Sequence, residues 1–102
     1  MISLVIAAPA ARDLAAIIDY IAADNPDAAQ RVFSSIVKSA ETLPQFPNLG
    51  RTGRHTGTRE LSVAGLPYVI VYQVGADVVT IVAIFHTARD LARVVGDRMG
   101  GV

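Results

Sequence analysis

The sequence predicts an α+β domain: two amphipathic helices packed on one face of a small, mostly antiparallel sheet. Three observations lead there. Apolar residues recur with a helical period as far as position 43. Beyond position 58 they alternate with a period of two. The chain has 102 residues and no internal repeat, enough for one core and too few for two, so 1–102 reads as a single domain.

The elements follow in order. Residues 2–6 are a short β-rich run, and Pro9 suits the first turn of a helix, where its missing N–H would have no partner anyway. Leu14, Ile17, Ile18 and Ile21 fall at i, i+3, i+4 and i+7, one apolar stripe on a first helix over about 9–23. Asp24, Asn25 and Pro26 break it. Asn25 is placed to cap the next helix, with Pro26 at its first position and Asp27 complementing the positive helix end. Val32, Phe33, Ile36, Val37, Ala40 and Leu43 carry the second stripe, over 26–43, and the short link makes the pair an antiparallel hairpin.

Pro44 and Pro47 end the helix, and 44–58 reads as a long connection rich in Pro, Gly, Thr and Arg. Leu61 and Val63 begin the alternating pattern. Tyr68, Ile70 and Tyr72 then share one strand face, with Val69, Val71 and Gln73 on the other. Gly75, Ala76 and Asp77 form a hairpin turn into a buried strand over 78–85. Thr87 and Asp90 have capping-box spacing, and Leu91, Val94 and Val95 give a short last helix before Gly96. The expected order is β-α-α-β-β-β-α.

Composition narrows the function. Nine basic and nine acidic residues cancel, so overall charge gives no pull toward nucleic acid or anionic membrane. The halves differ: residues 1–50 balance to −2 and residues 51–102 to +2, with Arg51, Arg54 and Arg59 clustered where no acid intervenes. No cysteine is present, which excludes a disulfide framework or thiolate metal site. Two distant histidines without a carboxylate at i, i+4 leave no metal site to expect, and no cofactor motif appears. No apolar run reaches the roughly 18–20 residues that span a bilayer. The apolar N-terminus lacks a basic flank and reads as a strand rather than a signal peptide. Hydrophobic residues make up 52%; either a partner covers part of that surface, or weakly hydrophobic alanine accounts for the excess.

Five segments, in order and in spacing, resemble the ParE/RelE toxin superfamily. Ala8, Pro9, Asp13, Leu14, Ile17, Tyr20, Ile21, Ala22, Asn25 and Pro26 fit its opening pattern, a proline-alanine helix start followed by D-L-x-x-I-x-x-Y-I-A-x-x-N-P. Leu43, Phe46, Pro47, Leu49, Gly50 and Arg51 fit L-x-x-F-P-x-L-G-R. Arg59, Glu60, Leu61 and Val63 fit R-E-L-x-V; Pro67, Tyr68, Ile70, Val71 and Tyr72 fit P-Y-x-I-V-Y; His86, Ala88, Arg89 and Asp90 fit H-x-A-R-D. The similarity covers about nine-tenths of the chain, and the motif wording favours the ParE branch.

The resemblance implies a cytoplasmic toxin of a type II toxin–antitoxin system of the plasmid-stabilisation kind. It implies a tightly bound antitoxin, with operator DNA reached only through that partner. For the ParE branch the implied target is DNA gyrase, bound without bond-breaking chemistry. For the RelE branch it is mRNA cut on the ribosome. An inactive, antitoxin-binding member is the third reading.

Cleavage of RNA through its 2′-OH needs a base, an acid and cations around the phosphorane. The candidates for that role are His86, Arg54, Arg59 and Arg89. Against it, Val69 stands where many relatives carry arginine, Lys38 is on helix two, and no tyrosine or histidine follows Asp90. His86 also has a structural reading, as a strand-end residue bonded to the Thr87 or Arg89 neighbourhood. His55 reads as exposed on a flexible loop, and Arg59 as a partner of Glu60 or a helix acid. For partner or target binding the candidates are Arg51, Arg54 and Arg59 on the loop, and Ile17, Tyr20 and Phe33 at the edge of the helical stripes, where an antitoxin helix would lie.

Overall fold

The computed structural model describes residues 2–88. The expected last helix, with Arg89 and Asp90 before it, lies outside them. The described elements are β1 (Ser3–Ile6), α1 (Ala8–Ala22), α2 (Pro26–Glu41), β2 (Arg51–Thr52), β3 (Arg59–Ser62), β4 (Tyr68–Val74) and β5 (Val78–His86). The α+β class and the helical hairpin stand as expected; β2 is an addition inside the predicted connection.

Both helices start as their sequences direct. Proline sits in each first turn, and the Asn25 side chain accepts the Ala28 N–H at 3.0 Å, satisfying one of the orphan donors of α2. At the far end of α2 the Thr42 hydroxyl donates to the Ser39 carbonyl at 2.6 Å.

The five strands lie in the order β1-β5-β4-β3-β2. β1 runs parallel to β5, pairing Ser3 with Val78 and Ile6 with Ile81; every other pairing is antiparallel. The helices cover one face. There Ile17, Ile36, Ala40 and Leu43 meet Val63, Tyr68, Ile70, Tyr72, Val79, Ile81 and Ile84 in one core, with Leu4, Leu14, Ile18 and Ile21 packed at its margin. Val69, Val71, Ala83 and Phe85 form a second buried cluster. The alternation read along β4 is therefore correct, and both of its faces are apolar.

β5 departs from simple alternation. Tyr72 pairs with Ile81 but Val71 with Ala83, so Val82 is an extra residue, a β-bulge. The bulge moves the main-core positions from odd numbers (Val79, Ile81) to even ones (Ile84). A continuous apolar run conceals that shift because both faces are buried. β1 ends opposite Ile81, and past that point the Ile84 N–H donates to the Asp13 carboxylate of α1 at 3.0 Å. A buried backbone donor without a strand partner is thus satisfied from the helix.

Candidate functional site

Two surfaces stand out, and different forces build them. The first is a groove of about 330 Å³ lined by Ile6, Ala11, Leu14, Ala15, Ile18 and Phe33, with Asp19 at its rim. The α1 stripe is wider than the core needs, and its outer edge forms the groove floor. Phe33 is 40% exposed and Ile6 43%. Ile17 does not line it: at 8% exposure it points into the core, which removes it from the expected contact set. Ile18, one position on, takes that place. Tyr20 is well exposed and borders a separate hollow at the α1–α2 turn with Ile21, Ala23, Asp24 and Asn25.

The second surface is the connection before β3, which polar clamps hold in place. The Tyr72 ring is fully buried. Its hydroxyl accepts the Gly50 N–H and donates to the Pro47 carbonyl, both at 2.8 Å. Gly50 is required there, because a Cβ would lie 2.8 Å from both the Glu60 carbonyl oxygen and the Tyr72 hydroxyl. Arg59 does not pair with Glu60 or with a helix acid. Its Nη1 donates to the Gly50 carbonyl at 2.7 Å and reaches the Asn48 carbonyl at 3.5 Å.

Glu60 is the polar centre of this region. Its carboxylate is almost wholly buried, accepting the Arg51 Nη2 at 3.1 Å and the Arg54 N–H at 3.0 Å. A buried charge needs such partners to be tolerated. The loop between β2 and β3 closes through Gly53 N–H to the Thr58 carbonyl at 2.8 Å, and through both Thr58 donors to the His55 carbonyl. The 50–59 stretch, His55 included, is a hydrogen-bonded turn, and His55 is half-buried in it rather than exposed. The Arg54 guanidinium has no partner among the described residues. Phe46 and Leu49, on the rim of this segment, are each 55% exposed. Sequence reasoning missed Glu60, Phe46 and Leu49 as surface-shaping residues; a lone acid amid three arginines was the available signal for Glu60.

Of the nuclease candidates within the described residues, His86 and Arg59 are not brought together. His86 pairs with Tyr68 on β4, whereas Arg59 pairs with Tyr72. Four residues along the sheet and two strands across separate them, about 13 Å by about 10 Å. The His86 ring makes an edge contact with Tyr68, centroids 5.4 Å apart, and its Nδ1 accepts the Ala88 N–H at 3.1 Å. That is the strand-end role. Val69 is buried in the second cluster. Arg89 lies outside the described residues. Among the described residues no cluster of three or more His, Cys, Asp or Glu side chains is placed to hold a metal ion, and no helix is long and apolar enough to cross a membrane.

Comparison with known proteins agrees with this architecture. The chain is 40% identical to the Y4kP protein of Sinorhizobium fredii over 75 residues, 74% of this chain and 77% of that one. It is 46% identical to toxin RelE2 of Caulobacter vibrioides over 77 residues, 76% and 85% of the two chains. Among solved structures it is similar to a chain of the chromosomal ParDE TA system from P. aeruginosa, with TM-score 0.79, 29% identity and coverage of 84% and 96%. It shares the fold alone with HP0894 from Helicobacter pylori, at TM-score 0.56 and 17% identity, over 87% of this chain and 98% of that one. Residues 4–91 match the family model described as ParE toxin of type II toxin-antitoxin system, parDE, so this chain belongs to the ParE toxin family.

Proposed function

We propose that this family member inhibits DNA gyrase in the cytoplasm by binding it, and that a tightly bound antitoxin neutralises it by laying an amphipathic helix in the groove of Ile6, Leu14, Ile18 and Phe33. Operator DNA is reached only through that antitoxin. One observation carries the choice of a binding toxin over a nuclease. Among the described residues, His86 and Arg59, candidates for proton transfer and phosphate stabilisation, stand at separate places on the sheet. His86 is already engaged with Tyr68 and Ala88. The groove supports the antitoxin seat: it is largely apolar, and such grooves receive the apolar face of an amphipathic helix.

The 46% identity to a protein named toxin RelE2 favours a second reading, ribosome-dependent mRNA cleavage. Inducing the gene without its neighbour separates the two. The gyrase reading expects loss of supercoiling by purified gyrase and a DNA-damage response, with mRNA intact. Codon-linked cuts on translating ribosomes, lost in His86→Ala or Arg54→Ala, would replace it with the second. Growth without arrest would leave an inactive, antitoxin-binding member. For the antitoxin seat, Phe33→Ser should weaken capture of the antitoxin; unchanged affinity places the seat elsewhere.

A further inference from the structure

The edge of the sheet opposite the groove carries a surface that the antitoxin seat does not use. β1, with Ile6, is one edge strand and β2 is the other, four strand spacings or about 19 Å away. Just before β2, Phe46 and Leu49 hold large apolar side chains outward, each 55% exposed. The Leu49 N–H closes a turn on the Phe46 carbonyl at 3.1 Å, which keeps the two together. The segment beneath is anchored on both sides of Leu49. Tyr72 holds Pro47 and Gly50, and Arg59 holds the carbonyls of Asn48 and Gly50. A loop fixed this way has little freedom to fold its apolar side chains inward, so they stay presented to solvent. Rigid presentation lowers the ordering cost of binding.

The charged residues that follow this pair in the chain have one sign up to position 59. Between positions 44 and 59 there are three arginines and no acid. The nearby carboxylate, Glu60, is buried beneath them and draws the Arg51 guanidinium and the Arg54 N–H onto its two oxygens. It neutralises part of the charge and fixes the Arg51 guanidinium and the Arg54 backbone. The Arg51 side chain remains 68% exposed, and the Arg54 guanidinium has no described partner.

We propose that Phe46 and Leu49, followed in the chain by Arg51 and Arg54, are the surface by which this toxin engages its protein target, and that the matching patch on the target is acidic around an apolar hollow. This rests on the toxin reading given above. An exposed phenylalanine and nearby arginines are residue types enriched at protein interfaces. The apolar pair argues against a nucleic-acid phosphate as occupant, since it would contribute nothing there. The groove, apolar and bordered by an acid, suits a different ligand.

The test uses the full chain with Phe46→Ser plus Leu49→Ser, and separately Arg54→Glu, all at outward positions. Both variants should melt as the unchanged protein does and still co-purify with the antitoxin encoded beside the gene. Inhibition of purified gyrase should fall roughly tenfold or more in each. Full inhibition by the double variant overturns the surface while leaving the gyrase reading intact. Loss of antitoxin binding in its place also overturns it. If Arg54→Glu alone abolishes activity, the contact is to phosphate and the proposal fails. Should the unchanged protein leave gyrase untouched, the gyrase reading falls and arrest of growth becomes the measure: a double variant that still arrests growth overturns the surface, and one that does not supports it.

Discussion

The helical hairpin and the segment before β3 sit on the same sheet but are held by opposite means. α1 and α2 stay in place through apolar burial, with Ile36 and Leu43 nearly inaccessible and few polar ties to the strands. Residues 47–60 bury no large apolar side chain; what they bury is Gly50, Thr58 and Glu60. Hydrogen bonds to Tyr72, Glu60 and Arg59 hold them. The first kind of attachment is non-directional and tolerates substitution by volume. The second depends on single atoms, and it can hold apolar side chains out in water that an apolar attachment would draw in.

That contrast can be broken or sharpened by mutation. The largest effect is expected for Ile36→Ala, 1% exposed in the native core, at about 3–4 kcal/mol by denaturant unfolding, with Ile36→Val costing about 1. A small loss would mean that the hairpin is less tightly packed than its burial indicates. Tyr72→Phe keeps the ring and removes only the hydroxyl, leaving the Gly50 N–H and Pro47 carbonyl without it. About 2 kcal/mol should go. Amide exchange should rise at Gly50 before it rises in α2. Equal exchange changes in both places would show that the two attachments are not separate.

Asn25→Ala removes the cap of α2 and should cost about 1 kcal/mol, recovered in large part by Asn25→Asp. Of similar size, Arg51→Ala leaves the buried Glu60 carboxylate to the Arg54 N–H and should cost about 1 kcal/mol at low salt, and less as salt is raised because Arg51 itself is exposed. A larger, salt-independent loss would assign Arg51 a structural share that its exposure does not suggest.

Much of the fold was legible because it depends on local periodicity. The stripes on α1 and α2, the Asn25–Pro26 start and the alternation along β4 all lie within a few residues of one another. What was not legible depends on distant partners. β2 is two residues long and is a strand only because Arg51 and Thr52 find Glu60 and Arg59. The Tyr72 hydroxyl reaches segments 22 and 25 positions earlier, so its pairing leaves no local trace. The bulge at Val82 is silent in an all-apolar run. Ile17 and Ile18 flank the middle of one wide apolar stripe, and the position of α2 and the sheet decides which of them turns inward and which is left at the groove. The site residues split along the same line. Phe33 and the three arginines were visible as types in place, while the burial of Glu60 and the exposure of Phe46 and Leu49 required the assembled sheet.

The pairing of β1 with β5 also shapes how this protein comes into being. Ser3 waits for Val78, 75 positions later, and no hairpin can substitute for that parallel contact. A growing polypeptide can form α1 and α2 early, but their apolar sides have no finished strand layer to rest on until residues near 86 have emerged. Contacts so remote in sequence are slow to form and leave sticky intermediates. Interrupted synthesis would therefore yield unfolded fragments for proteases rather than a partly active poison, and an antitoxin that bound the early helical pair would meet its ligand before the toxin had finished folding.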